Sequence, residues 1–345
     1  MRLSLVALML VLPGRAGSQP APPTPRQPTV AVLSADASLV AAQTGATIHV
    51  WERATGKRLA RRENRGFFRG AVTRGALIAV SDDGVTVWRG ERFERAVRLE
   101  TPKVLSMGRT AISADGRVAS AIFAADGGAG DPDTVGVWDA RSGRRLGRFT
   151  LDRGRVLGAA LSYDGRLLAV FGDRREGGAL LHLYRVRRRR ALLRWTGEDR
   201  TTFCAAFSRR ARRLALCAGT RLLIWDVARR RIVARSEVDA IKALFPRALR
   251  GPSVRIPGAH GVAFGPRGRE LVTLHGFGVV GIARWSLRPL RPAAWIKRPL
   301  SGGTLRQVAW DPGGSLWLVT SSYAERVHVH TPRGDRFAPT RVLKP

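Results

Sequence analysis

Short segments in which apolar and polar residues alternate recur along the whole chain. The clearest of them end in an aromatic residue or a histidine, and they are Ile48–Trp51, Val85–Trp88, Val135–Trp138, Leu181–Tyr184, Leu222–Trp225, Ile282–Trp285 and Val327–His330. Alternation with a period of two is typical of β-strands. Because the ends of these segments lie about 37 to 60 residues apart, the pattern predicts a chain built from seven similar units.

A second signal, a tight polar turn between two short apolar strands, comes before most of these segments. The turn begins at Ser34, Ser113, Ser162 and Ser208, with weaker forms at Gly265 and Asp311. A glycine in such a turn allows the positive φ angle that the backbone needs there. Each unit is therefore predicted to hold four antiparallel strands in roughly 45 residues, which is the size of a β-propeller blade.

A four-stranded sheet with two apolar faces can bury both of them only against neighbouring sheets. The sequence therefore predicts an all-β fold, a seven-bladed β-propeller of four-stranded antiparallel blades spanning residues 29–344. The predicted blades are residues 29–63, 68–99, 104–151, 155–196, 201–237, 260–298 and 303–344. A ring of six or eight blades and a related quinoprotein-like propeller are the alternatives.

The repeat motifs resemble those of the WD40-type β-propellers. The best matches are "VGVWDARSGRRL" in the third unit, "SYDGRLLAVFG" in the fourth and "LLIWDVARRRIV" in the fifth. The Trp-Asp pair of that family stands at Trp138-Asp139 and Trp225-Asp226, with Trp51-Glu52 as a near match. The resemblance implies a rigid interaction scaffold. Since the family's Gly-His dipeptide is missing, its buried Asp-His-Ser/Thr-Trp hydrogen-bond network is expected to be mostly absent.

The aromatic residues at the ends of the third strands are interpreted as packing residues. They recur at one place in every unit, whereas a ligand-binding cage would not be repeated around a ring. These residues are Trp51, Trp88, Trp138, Tyr184, Trp225 and Trp285. The carboxylates of Asp139 and Asp226 are expected to accept hydrogen bonds from backbone N–H groups of the turns that follow them.

The first 28 residues are predicted to be a targeting segment and a linker. A basic start, an apolar run from Leu3 to Leu12 and small residues near Ser18 are typical of a signal peptide, so residues 1–18 are assigned to it. Residues 19–28 form a proline-rich leader. The protein is therefore expected to be exported to the periplasm or the extracellular space. The alternative is a cytosolic protein that keeps these residues.

The two cysteines are predicted to face each other across neighbouring strands. If Phe207 pairs with Leu214, the antiparallel register places Cys204 opposite Cys217. In an oxidising compartment these thiols could form a disulfide. Two buried, unreactive thiols are the alternative.

The formal net charge of the chain is +34, and arginine supplies most of it. The turns between strands one and two and between strands three and four share one face of a propeller. That face carries about +19 and the other about +3. The arginines assigned to a docking face are Arg187, Arg188, Arg189, Arg190, Arg209, Arg210, Arg212, Arg213, Arg229, Arg230 and Arg231. The functional interpretation is docking on an anionic partner; the alternative is a solvated surface that reflects genome composition.

The opposite face is expected to carry little net charge, because acidic residues in its loops offset its basic ones. The residues assigned to it are Asp82, Asp83, Asp126, Asp131, Asp133, Glu198 and Asp199. Between the fifth and sixth units, a long connection is expected to contain a short helix capped by Asp239. This segment could cover the central channel or pack on the rim.

The sequence contains none of the common catalytic or metal-binding motifs, and its six histidines are spread over several units. No catalytic residue, cofactor or metal is therefore assigned. The predicted function is a non-catalytic scaffold that binds a protein or an anionic envelope component. The basic turns are also compatible with nucleic-acid binding. Such binding would lack sequence specificity, because aromatic residues do not interleave with these turns. A periplasmic dehydrogenase or hydrolase with a channel-mouth site and a cytosolic polyanion-binding scaffold are the alternatives.

Overall fold

Seven blades, each of four consecutive antiparallel strands, form a β-propeller. The outer strands of blades six and seven also pair in parallel at Lys297 and Arg336, which joins these two blades in one eight-stranded sheet. The computed structural model describes residues 30–64, 70–81, 84–101, 110–123, 134–151, 154–174, 176–198, 201–245, 258–275, 281–297, 304–321, 327–333 and 336–343. The prediction of seven four-stranded blades is thus confirmed.

The first four blades follow the chain order without crossovers. Blade one contains β1 Val30–Leu33, β2 Leu39–Thr44, β3 Thr47–Glu52 and β4 Arg58–Glu63. Blade two contains β5 Ala71–Thr73, β6 Ala76–Ser81, β7 Gly84–Arg89 and β8 Arg95–Leu99. Blade three contains β9 Ala111–Ile112, β10 Val118–Phe123, β11 Thr134–Asp139 and β12 Arg145–Thr150. Blade four contains β13 Gly154–Leu161, β14 Leu167–Arg174, β15 Ala179–Arg185 and β16 Arg190–Gly197.

The last three blades have the same order. Blade five contains β17 Thr202–Phe207, β18 Arg213–Ala218, β19 Arg221–Asp226 and β20 Arg231–Glu237. Blade six contains β21 Gly261–Phe264, β22 Glu270–His275, β23 Gly281–Leu287 and β24 Leu290–Lys297. Blade seven contains β25 Thr304–Trp310, β26 Leu316–Ser321, β27 Val327–Arg333 and β28 Arg336–Leu343.

The ring is closed by packing between blade one and blade seven. The first strand of each blade contacts the first strands of both neighbouring blades, and β1 contacts β25 in the same way, so these strands surround the central channel. Trp51 and Val40 pack with Val319 and Val329 across the junction. Blade seven has its own outer strand, β28, so the ring closes without strand exchange.

The aromatic residues at the ends of the third strands lie between blades. Trp138 is buried against Phe123 and residues of blade two, and its Nε1 donates to the carbonyl of Glu100 at 3.1 Å. Trp225 packs in the same way against blade four, and Trp285 against blade five. The remaining members of the series also lie in such clusters, and they are Trp51, Trp88 and Tyr184. Each aromatic ring thus joins its blade to the preceding one.

A Ser-x-Asp turn joins the first two strands in blades one, three and four. In blade four, the Ser162 hydroxyl donates to the Asp164 carboxylate at 2.7 Å and accepts from the Leu167 N–H at 2.9 Å. The Asp164 carboxylate also accepts from the N–H of Arg166 at 3.1 Å, while Gly165 has a φ of +66°. These bonds supply side-chain acceptors for backbone N–H groups of the turn that have few other hydrogen-bond partners.

The segment after β20 forms a 3₁₀ helix, Val238–Leu244. The expectation that Asp239 caps it was wrong: Glu237 stands at the N-cap without a side-chain cap bond, and Asp239 pairs with Lys242 at 2.9 Å. Phe245, directly after the helix, packs edge-on against Trp295 of β24 with ring centroids 5.1 Å apart. The helix therefore packs on the rim and does not cover the channel.

Blade six contains a buried hydrogen-bond chain that the sequence analysis did not assign. The Nε1 of Trp285 donates to the hydroxyl of Thr273 at 2.8 Å, and that hydroxyl lies 2.9 Å from the Nε2 of His275. All three residues have no exposed surface. A tryptophan-threonine-histidine part of the network that the family resemblance implies is thus present in one blade.

Candidate anion-binding face

The antiparallel order of the strands places all turns between strands one and two and between strands three and four on one side of the ring. We call this side the basic face. The arginines assigned from sequence lie in or directly beside its turns, and those from blades four and five are Arg187, Arg188, Arg189, Arg190, Arg209, Arg210, Arg212, Arg213, Arg229, Arg230 and Arg231. All of them are exposed except Arg213, which is half-buried. All eleven of the assigned arginines therefore belong to two adjacent blades.

Two of these arginines occupy backbone positions that favour glycine. In blade three, the turn after β11 has Gly143 at a φ of +75°, and the Asp139 carboxylate accepts from the N–H of Ser142 at 2.9 Å. The same kind of turn in blades four and five has Arg189 at +49° and Arg230 at +56°. A residue with a Cβ atom pays a steric cost in this region. Turn geometry alone therefore gives no reason for arginine there.

The carboxylate of Asp226 has the turn-stabilising role expected of it. It accepts from the backbone N–H of Arg229 at 2.8 Å. Asp139 accepts in addition from the N–H of Arg141 at 2.9 Å. Burial raises the pKa of Asp139, but the hydrogen bonds from Ser142 and Arg141 outweigh it and hold the pKa below its ordinary value.

A cavity of about 210 Å³ opens at the mouth of the central channel on the basic face. The ends of the first strands from several blades form it, with Phe207, Phe264 and Trp310 among its apolar side chains. Arg209 and Tyr163 stand at its edge, in the turns of blades five and four. The cavity can therefore receive an apolar group beside a positive charge.

A second cavity, of about 640 Å³, adjoins the first and is strongly basic. Tyr163, Arg209 and Pro266 line both cavities. The guanidinium group of Arg209 lies 5.5 Å from the ring centre of Tyr163, and 38% of Tyr163 is exposed. The arginines around this cavity come from two blades, and they are Arg209, Arg210, Arg212, Arg213 and Arg267.

Two carboxylates also line the channel-mouth cavity. Asp36 accepts from the hydroxyls of Ser34 at 2.6 Å and Ser38 at 2.7 Å. Asp311 accepts from the Nε1 of Trp317 at 2.9 Å, with Arg53 3.9 Å away. Burial raises the pKa of each, but these hydrogen bonds and the nearby arginines outweigh it, so both pKa values lie below the ordinary value. Both carboxylates are therefore ionised at neutral pH, and each already accepts hydrogen bonds from neighbouring side chains.

Several residues of this site were not among those assigned from the sequence. The residues missed lie in the turns after the first strands, and they are Tyr163, Arg267, Asp36 and Asp311. The sequence placed these turns on the basic face but did not show whether each residue lies at the channel mouth or at the outer rim. The sequence did contain a signal that could have identified these residues, because each of them stands one to three residues after the end of a first strand. In a propeller those strand ends surround the channel mouth.

Cys204 and Cys217 form a disulfide between β17 and β18. The register pairs Phe207 with Leu214 and Cys204 with Cys217, as the alternation of the sequence predicts, and the two Cα atoms lie 5.2 Å apart. The bond closes a short hairpin behind the basic turn of blade five. It cross-links the two strands that lead into and out of the turn carrying Arg209 and Arg210.

The six histidines lie in or beside blades one, four, six and seven, and none of them lines the channel-mouth cavity. Among the residues that the structure describes, no group of three His, Cys, Asp or Glu side chains could hold one metal ion. His330 is buried in β27, where its ring stacks on that of His328 at 6.0 Å. Burial, with a smaller contribution from His328, lowers the pKa of His330 to about 4.

Some assignments fall outside the described residues. They include the signal peptide, the proline-rich leader and all residues assigned to the acidic loops of the opposite face except Glu198. Within the described ranges, no helix has the length and apolar character needed to cross a membrane.

The fold defines the class of protein: a closed seven-bladed β-propeller. Solved structures share this fold. A chain of Kuenenia stuttgartiensis hydrazine synthase is 14% identical, with a TM-score of 0.67 over 92% of this chain and 99% of that one. A chain of a mitotic checkpoint complex is 17% identical, with a TM-score of 0.62 over 96% of this chain and 100% of that one. No protein-family model matches the chain, and no curated protein sequence matches it.

Proposed function

We propose that this protein is an exported, non-catalytic scaffold of the WD40 type that docks through its basic face on an anionic partner. One observation carries the proposal: the eleven arginines assigned to docking lie in or beside turns of the face where both cavities open, and ten of them are exposed. Complementary charge steers association and fixes the orientation of docking. The sequence assigns about +19 to this face and about +3 to the other, and an arginine bias spread evenly over the surface would not create that difference.

The arginines at left-handed backbone positions also support a binding role. Arg189 and Arg230 stand at left-handed positions that glycine would occupy without strain. Because Ala37 and Ala211 share this backbone conformation, the support for a binding role comes from the exposed arginine side chains at these positions. The similarity to a chain of a mitotic checkpoint complex adds that this fold occurs in a protein assembly.

The second candidate is an enzyme with a site at the channel mouth. Asp36 and Asp311 favour it, because both carboxylates line one cavity. A general acid, however, needs a carboxyl whose pKa is raised toward neutrality, and the pKa values of both are lowered. We therefore rank the scaffold first.

Recovery of a partner from a cell-envelope extract tests the docking proposal. Replacing Arg187, Arg188 and Arg190 with serine is expected to reduce partner recovery severalfold at low salt, because these exposed side chains belong to the basic face. Wild-type recovery is also expected to fall from low to moderate salt.

The matched control removes the same charge from the outer strands at the rim, by replacing Arg61, Arg148 and Arg235 with serine. All three are exposed and lie away from the turns. Recovery of this variant is expected to stay near the wild-type level. Equal losses in the two variants would mean that only net charge matters, and the face would have no special role.

A further inference from the structure

The charge of the side chain at one position in the turn between strands one and two differs between blades. The third residue of the first turn is an aspartate in blades one, three and four: Asp36, Asp115 and Asp164. Each of these carboxylates accepts the backbone N–H two residues later, at 3.0 to 3.1 Å. At the same position, blade five has Arg210 and blade six has Arg267.

The backbone of the turn is the same in spite of this change. The fourth residue has a positive φ in all five blades, with values of +53° at Ala211 and +63° at Gly268. Its N–H donates to the carbonyl of the first residue, at 2.7 Å from Ala211 and 2.9 Å from Gly268. Blades five and six therefore keep the turn but give up the carboxylate that elsewhere stabilises it.

Both substituted positions line the same cavity. Arg210 and Arg267 come from neighbouring blades and meet at the basic cavity, together with Arg209, Arg212 and Arg213. Among the described residues, no carboxylate lines this cavity. Composition bias would add arginine anywhere on the surface, whereas this sign change occurs where two blades converge on one recess.

The adjoining cavity limits what can bind there. It shares Tyr163, Arg209 and Pro266 with the basic cavity, and Phe207, Phe264 and Trp310 provide apolar surface next to the guanidinium groups. A ligand that fills both carries anionic groups beside an apolar group. The two carboxylates at the far side of the mouth, Asp36 and Asp311, disfavour a ligand that is anionic along its whole length.

We propose that the two cavities form a binding site for an acidic peptide segment with an apolar anchor residue. The anchor side chain enters the channel-mouth cavity, and flanking Asp or Glu carboxylates pair with Arg210 and Arg267. The site deepens the proposed docking function, on which it rests, by naming the partner as a protein with an acidic, exposed segment. Carboxylates match the planar guanidinium fork in bidentate pairs.

Nucleic acid and anionic lipid fit the two cavities less well. Single-stranded nucleic acid needs several aromatic platforms along a basic groove, and the basic cavity has only Tyr163 among its described lining residues. A lipid surface is flat and would engage the whole basic face equally. The recess and its apolar neighbour favour a narrow chain with protruding side chains.

The test is the affinity of a labelled synthetic peptide in which glutamates flank one phenylalanine, measured by fluorescence anisotropy. Arg210→Asp with Arg267→Asp is expected to weaken binding at least about tenfold, because it places two negative charges in the recess. The variant is expected to fold normally, since aspartate at this position matches the turns of Asp115 and Asp164. Thermal unfolding checks this point.

Arg141→Asp with Arg144→Asp is the control, with the same charge change at exposed residues in a blade-three turn of the basic face that line neither cavity and are not among the assigned docking arginines. Its affinity is expected to fall by less than about threefold. Replacing the phenylalanine of the peptide by alanine is expected to weaken wild-type binding about tenfold, through loss of apolar burial.

The possible failures are distinguishable. If wild type binds neither the peptide nor an oligonucleotide nor anionic vesicles, the proposed docking function fails. If wild type binds the peptide but both double variants lose affinity equally, docking stands and the two-cavity site is overturned. Tighter, cavity-dependent binding of an oligonucleotide or of vesicles would overturn the acidic peptide as the occupant.

Discussion

Trp285→Ala is expected to lower the free energy of unfolding by about 4 kcal/mol. Trp285 has no exposed surface and lies between blades five and six, so the deletion leaves a large cavity in an interface. It also removes the donor to Thr273, whose hydroxyl lies in the buried chain with His275. Denaturant unfolding followed by tryptophan fluorescence and circular dichroism measures the change.

Trp88→Ala is the matched control, because Trp88 occupies the same place in blade two but is only half-buried. Its loss is expected to be about half as large. Trp285→Phe keeps most of the packing while removing the N–H donor, and it should fall between the two. A loss at Trp285 no greater than that at Trp88 would contradict the view that burial of the ring between blades sets the size of its contribution.

Loss of the disulfide between Cys204 and Cys217 is expected to cost about 3 kcal/mol of unfolding free energy. The bond closes a loop with a sequence separation of 13, and opening it raises the conformational entropy of the unfolded chain. The double variant Cys204→Ala with Cys217→Ala and the reduced wild type should lose similar amounts. Non-reducing mass spectrometry should give the native protein a mass two hydrogens below that of the dithiol form.

The double variant also serves as the control for the reductant. Its stability should not change when reductant is added, whereas that of the wild type should fall. A native mass equal to that of the dithiol form would show two free thiols. The predicted contribution of the disulfide to the free energy of unfolding would then be wrong.

The architecture could be predicted because each blade repeats the same local sequence pattern of alternating strands and tight turns. Strands that alternate in polarity and end in an aromatic such as Trp138 or Trp225 indicate sheets that must be covered on both faces. Turns such as the one from Ser162 set the strand pairing through local hydrogen bonds. The pairing of Cys204 with Cys217 followed from that alternation alone.

The candidate site could be predicted only in part because it depends on which blades become neighbours around the channel. Arg210 was assigned to the basic face from its turn, but its convergence with Arg267 requires the placement of blades five and six. The Trp285, Thr273 and His275 chain depends on side-chain directions between β22 and β23. The Asp239 cap failed because a 3₁₀ helix packed through Val238 and Ile241 replaced the capped helix that the spacing suggested.

The central claim is that one face of the closed propeller binds anions, and arginine footprinting tests it most directly. Wild-type protein is labelled with an arginine-specific glyoxal reagent, with and without poly-glutamate, and modification is read by mass spectrometry. Severalfold protection is predicted at Arg187, Arg209, Arg210 and Arg267. The rim arginines Arg61, Arg148 and Arg235 should be labelled as in the free protein. Equal protection of both sets, or protection of the rim alone, would contradict the claim.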